Sequence, residues 1–160
     1  MNRLVRSLSS PAAVRRLFNV YPPYLMTGIR VVRIDPDWRR VEVTMGLHWY
    51  NRNYFGTQFG GSLYAMTDPF FVFMLVNNLG PDYFVTDQGA DIRFLKPGRG
   101  RVTASFVLDE AMLADVREKT ATGEKYLPTW AVEVRDEGGD VVARVEKTLY
   151  VRRKPRARHG

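Results

Sequence analysis

The amino-acid sequence predicts an α+β domain in which an antiparallel sheet wraps around a long, central, apolar helix, with an additional helix at the N-terminus. Two observations carry this. Most of the chain outside residues 60–79 reads as period-2 segments joined by short turns rather than by helices, which favours antiparallel pairing. Residues 60–79, by contrast, are apolar on nearly every helical face, so that helix must be covered on several sides, as a curved sheet can do. A chain of 160 residues fits one domain and can bury roughly 68–70% of its unfolded surface without disulfides or a structural metal.

Ser10 and Pro11 form an N-cap and first-turn pair, and Val14, Leu17, Phe18 and Tyr21 recur at i, i+3, i+4, i+7 until Pro22-Pro23 stops the helix. Arg3, Arg6, Arg15 and Arg16 interrupt any signal-like apolar run. The absence of acid before Asp35 also suits a transit peptide, but the apolar periodicity favours a folded helix. Residues 28–34 and 39–47 read as strands around the turn Asp35-Pro36-Asp37, with Val41, Val43 and Met45 on one face. Residues 48–59 form a loop whose aromatics, Trp49, Tyr50, Tyr54 and Phe55, are assigned to core or dimer packing.

The apolar helix ends at Asn78-Leu79-Gly80-Pro81, and Asp68, Asn77 and Asn78 within it argue for a buried helix rather than a stable membrane insertion. Ala90, Ile92 and Phe94 then share one strand face. Through the turn Pro97-Gly98-Arg99-Gly100 they are expected to form a hairpin with Val102, Ala104, Phe106 and Leu108. A short helical piece covers about 110–122, and Trp130, Val132 and Val134 pair across Glu137-Gly138-Gly139 with a last strand through Val151. Lys147 shares the parity of that strand's apolar set and is assigned to a bulge or to a strand end outside the core. The expected organisation is a helical segment at 1–24, a domain at 25–152 and a basic, disordered tail at 153–160.

The net charge of +7 lies in the ends: residues 1–40 carry +6 and residues 152–160 carry +5, while residues 41–151 carry −4. A mildly acidic body argues against nucleic acid as a partner. With no Cys, thiol nucleophiles are excluded, and the wide separation of the only two His, His48 and His159, argues against a His-rich metal site, so no metal is expected. A cytoplasmic location is expected. A Ser–His triad on Ser62 lacks the Gly-x-Ser-x-Gly elbow.

The informative segment runs from Asn53 to Asp68. Gly60 and Gly61 open the apolar helix, where free N–H groups can hold a developing oxyanion. Asp68 follows Gly61 by seven residues, about two turns along the same face, and an unpaired carboxylate there is costly unless it meets water, a partner or a substrate. Pro69 removes the hydrogen bond to the Ala65 carbonyl and kinks the helix. The alternative is that Asp68 is simply the N-cap of a second helix starting at Pro69. Lys96, Arg99 and Arg101 place positive charge at one sheet end, as a solvated turn or as contacts to phosphates.

The spacing of Asn53, Gly60-Gly61 and Asp68, together with Ile92-Arg93-Phe94-Leu95-Lys96-Pro97, resembles the hotdog-fold thioesterases of the phenylacetate-degradation (PaaI-like) type, and most closely their DUF4442 branch. The resemblance spans residues 25–152 and implies a homodimer, or a dimer of dimers, whose interface builds the active sites. It implies hydrolysis of a fatty or aryl acyl-CoA thioester without a cofactor. Asp68 would be nucleophile or general base, Gly60 and possibly Gly61 the oxyanion donor, and Asn53 the group that orients carbonyl or water. Thr86 and Asp87 of the other protomer would complete the site, with Phe59, Lys96 and Arg99 as substrate contacts. Phe59 departs from the family, which has His before Gly-Gly, and this keeps a non-catalytic acyl-CoA or lipid-binding protein as the second reading. A third is an adaptor for nucleic acid or anionic membranes acting through the basic ends.

Overall fold

The computed structural model describes residues 10–155, so the first nine residues and most of the basic tail lie outside the description. Two helices open it, α1 (Pro11–Val20) and α2 (Pro22–Thr27). Ser10 caps α1 by accepting from Ala13 N–H, with Pro11 in the first turn as expected. Pro22-Pro23 ends α1 but also begins α2, because a proline in the first turn forfeits only an N–H that has no intrahelical acceptor. Val14 and Phe18 pack inward, while Leu17 and Tyr21 of the expected apolar face remain exposed.

The strands β1 (Ile29–Ile34), β2 (Arg40–Met45), β3 (Tyr83–Phe94), β4 (Val102–Val107), β5 (Lys125–Tyr126), β6 (Thr129–Asp136) and β7 (Val141–Arg153) form one antiparallel sheet. Its order is β1-β2-β4-β6-β7-β3, with β5 also on β7. Helices α3 (Gly60–Ala65) and α4 (Phe70–Leu79) fill its concave face, and α5 (Glu110–Lys119) connects β4 to β5. β7 runs to Arg153, and the Lys154 N–H still reaches the Asp82 carbonyl at 2.8 Å.

The hairpin expected between residues 84–94 and 102–108 does not form. β3 pairs with β7 at one edge, and β4 lies between β2 and β6. The intervening segment is no tight turn. Leu95 and Lys96 N–H groups donate to the Val142 carbonyl, and Gly98 accepts from Gln58 N–H at 2.9 Å, so the chain crosses over the sheet end before it re-enters. Turn chemistry marks a change of direction but not which strand receives the chain.

Alternation buries Val41, Val43 and Met45 on β2, Val102, Ala104 and Phe106 on β4, and Val145, Leu149 and Val151 on β7. Phe70, Phe71, Met74 and Leu75 of α4 meet them, with the Phe70 and Phe71 rings 5.1 and 5.2 Å from that of Phe106. Phe18 of α1 packs edge-on against Phe73 at 5.2 Å, so the helix that is apolar all round is covered by the sheet and by the N-terminal helix together. No described helix is long and apolar enough to cross a membrane.

Candidate active site

The apolar helix is broken between α3 and α4, and Asp68 sits in the break. Thr67 and Asp68 N–H groups bond back three residues, to Tyr64 and Ala65 carbonyls at 2.9 and 3.3 Å, as in a 3₁₀ turn. Pro69 enforces this by lacking the donor that would continue the helix. The Tyr24 hydroxyl of α2 donates to the Ala65 carbonyl at 3.2 Å. Asp68 makes no capping hydrogen bond to α4, whose N-cap is Pro69, so the capping alternative is overturned.

Instead, Asp68 Oδ1 accepts from Lys147 Nζ at 3.0 Å. Lys147 is 0% exposed, and its assignment to a bulge or strand end is therefore corrected: it stands in the regular part of β7, inside the core, between Val145 and Leu149. A buried ammonium must be paired, and here two carboxylates do so. Asp87 Oδ1 also lies 3.0 Å from Nζ. The Tyr64 ring faces the ammonium with its centroid at 5.4 Å. The two carboxylates differ in access, the Asp68 side chain being 51% exposed and that of Asp87 32%.

Asp87 reaches this cluster through a β-bulge. Its partner on β7 is Leu149 and that of Gly89 is Thr148, which leaves Gln88 as the extra residue. The bulge converts an odd-numbered inward face (Tyr83, Val85, Asp87) into an even-numbered one, with Ala90 opposite Lys147 and Ile92 opposite Val145. Asp87 thus joins Asp68 within a single chain, whereas Thr86 is exposed on the other face. Ile92 is half-buried, while Ala90 and Phe94 stay exposed because the concave face is open at this edge.

That opening is a cavity of about 520 Å³ at the start of α3, lined by Gly60, Leu63, Asn53 and Phe94 and, from the crossing loop, by Lys96 and Arg99. Close backbone approach explains Gly60, since a Cβ there would stand 3.0 Å from the Phe94 ring. At Gly61 it would stand 2.6 Å from the Phe59 ring. Asn53 is used by its own loop: Nδ2 donates to Thr57 Oγ1 and the Gln58 carbonyl, and Oδ1 accepts from Phe55 and Thr57 N–H. Lys96 is engaged by Asp136 and Asp140 at 2.7 and 2.6 Å. Asp68 does not line the cavity, so one chain gathers Gly60, Asn53, Lys96 and Arg99 in one place and Asp68, Asp87 and Lys147 in another. Trp49, Tyr50, Tyr54 and Phe55 are exposed, Tyr54 at 97%, so core packing is not their role in the chain.

The electrostatics follow from burial. Burial pushes Asp87 above the usual carboxylate range, with the Lys147 ammonium pulling against it. Burial also works against the charge on Lys147, but Asp87 and Asp68 outweigh it and hold Lys147 above the ordinary lysine value. Burial, reinforced by the nearby Asp68 charge, holds the Tyr24 phenol well above its usual range. Lys147 is the residue that sequence reasoning missed. Its signal was an inward parity on β7 that matched a carboxylate lacking a partner on the central helix.

The family model described as Domain of unknown function (DUF4442) matches residues 11–151. No curated protein matches the chain. Among solved structures, the fold is similar to that of Pseudomonas aeruginosa PA5026, a protein of unknown function described as a probable thioesterase, with TM-score 0.76 and 19% identity over 89% of this chain and 95% of that one. It is also similar to thioesterase HI1161 from Haemophilus influenzae (0.65, 18%, 94% and 95%). The PaaI protein of the E. coli phenylacetic acid degradation operon is a third such structure (0.57, 15%, 89% and 91%). The chain belongs to the DUF4442 family, and its fold is that of the hotdog thioesterases.

Proposed function

We propose that the protein hydrolyses the thioester of a fatty or aryl acyl-CoA, with Asp68 as the reacting carboxylate. The observation that carries this is a half-exposed carboxylate at a break in an apolar helix, where it caps nothing and keeps Oδ2 unengaged among the described residues. The N–H groups of Gly60 and Gly61, in the first turn of α3, polarise the thioester carbonyl. Asp68 then either attacks the carbonyl carbon or takes a proton from the water that does. In the first route the C–S bond breaks, CoA leaves as thiolate and water cleaves the resulting anhydride. In the second, the C–S bond breaks as the thiolate takes up the proton. Both yield a carboxylic acid and CoA thiol, and neither draws on a cofactor beyond the CoA of the substrate.

Gly60 lines the cavity and Asp68 does not, so within one chain the carbonyl donor and the carboxylate stand apart. A single carbonyl cannot touch both, so the site is completed across a homodimer, which in turn can form a dimer of dimers. The unpaired edge of the twelve-residue strand β3 and the exposed aromatics of residues 49–55 supply the surface for it. Lys96 and Arg99 lie where the CoA phosphates would enter beside Gly60, and Phe59 and Phe94 offer apolar surface to the acyl or pantetheine portion.

The test is hydrolysis of an acyl-CoA panel by wild type and by Asp68→Asn and Asp68→Ala. Loss of turnover in both variants is expected. A wild type inactive on every acyl-CoA removes the enzymatic reading, and full activity in Asp68→Asn removes the site assignment. Single turnover in H₂¹⁸O identifies the nucleophilic route when water cleaves the anhydride at Asp68 Cγ, because only that event puts label into Asp68. Phe59 in place of His favours the second reading, a non-catalytic acyl-CoA or lipid-binding protein, which calorimetry would reveal as tight binding without turnover.

A further inference from the structure

We infer that Lys147 is the positioning residue of this site: its ammonium, counterbalanced by Asp87, fixes Oδ1 of Asp68 and leaves Oδ2 to act. The inference rests on the reading of Asp68 as the reacting carboxylate. Lys147 occupies a strand position whose neighbours on the same face, Val145 and Leu149, are fully buried hydrocarbons. A Leu or Met there would fill the core without the desolvation cost of an ammonium, so packing alone does not account for a lysine. Its partners come from two distant elements, Asp68 from the helix break and Asp87 from the bulge of β3, and both stand 3.0 Å from Nζ.

The two carboxylates are unequal. Asp68, half-exposed, keeps its second oxygen unengaged among the described residues beside its bond to Nζ, while Asp87 is the more buried of the two and supplies charge. A half-exposed aspartate would otherwise rotate freely; tied at one oxygen, it presents the other in one orientation. The groups that face Asp68 are the Tyr24 hydroxyl side of α2, Asp87 of β3 and Lys147 of β7, while the Tyr64 ring of α3 faces the ammonium. With two carboxylates and one ammonium, the cluster carries one net negative charge.

Lys147→Met retains an unbranched apolar stem, and Asp87→Asn retains shape while removing one charge. Lys147→Met is expected to lower kcat on the order of 100-fold, with KM changed by no more than about twofold. Without the ammonium, the two carboxylates face each other uncompensated, so protonation of the pair begins at higher pH and the acid limb of the rate profile moves upward. Asp87→Asn leaves Lys147 to Asp68 alone and moves that limb downward. A merely structural role would move neither limb in a folded variant, and that result overturns the inference.

NMR titration of ¹³C-labelled aspartate carboxylates, assigned with Asp68→Asn, follows the same coupling without turnover. An Asp68 resonance that titrates identically in wild type and folded Lys147→Met overturns the inference even if hydrolysis stands. Should wild type hydrolyse no acyl-CoA, the thioesterase reading fails, while the NMR comparison still decides whether Lys147 governs Asp68. Should Lys147→Met not fold, Asp87→Asn carries the test with the opposite sign.

Discussion

The hydroxyl of Tyr24 donates to the carbonyl of Ala65, the acceptor that the residue four positions on, Pro69, cannot serve. The N-terminal helices thereby repair the backbone at the break that exposes Asp68. Tyr24→Phe removes that donor and leaves the longer 3.3 Å bond from Asp68 N–H as the remaining contact. The expected loss is about 1 kcal/mol, seen as a fall in Tm of roughly 2–4 °C by calorimetry. An unchanged Tm would show that the hydroxyl contributes nothing to the break.

Tyr24 and Lys147 both hold their protons more tightly in the folded chain than at their ordinary values of 10.0 and 10.5. Below those values both states are protonated and the stabilisation is fully present. As pH rises beyond them, the unfolded chain releases protons that the native state keeps, so stability falls by up to about 1.4 kcal/mol per pH unit for each group. Tm measured from about pH 9 to 11.5 should drop steeply above pH 10, and the decline should be shallower in Tyr24→Phe.

Asn53→Ala breaks four hydrogen bonds inside the loop that precedes α3. A loss of about 1–2 kcal/mol is expected, together with faster hydrogen exchange at residues 54–58. If activity disappears while Tm and exchange stay unchanged, Asn53 acts on substrate directly and the loop role is wrong.

Gly60→Ala drives a methyl group to within 3.0 Å of the Phe94 ring tip, which lies at the end of an edge strand and can move. Stability should stay within about 1 kcal/mol of wild type. Turnover should fall on the order of tenfold or more, because the displaced ring enters the cavity beside the carbonyl donor. Combining Gly60→Ala with Phe94→Leu should recover part of the loss; additive effects would mean that the two positions are not coupled.

The sequence made the layer arrangement legible because alternation on β2, β4 and β7 and the all-round apolar helix are local patterns. Strand partners were less so. The segment Pro97 to Gly100 has turn chemistry, yet its path is set by bonds to Val142 and Gln58, which lie far away in sequence. Asp68 stood out as a charge on an apolar helix. Its partner did not, because a single inward lysine reads as an exception until the strand and the helix break are known to face each other. The role of Asp87 was hidden further, since Ala90, Ile92 and Phe94 suggest an even-numbered inner face and Asp87 is odd.

Gln88 therefore acts as a phase shifter in the sheet. Deleting it would leave β3 in one continuous frame, unable to keep both Asp87 and Ile92 on the concave side. Either the ammonium loses one of its two counter-charges or the rim of the cavity turns outward, although every side chain that does chemistry is still present. In a chain built this way, a one-residue change in length on β3 is more damaging than most substitutions on it.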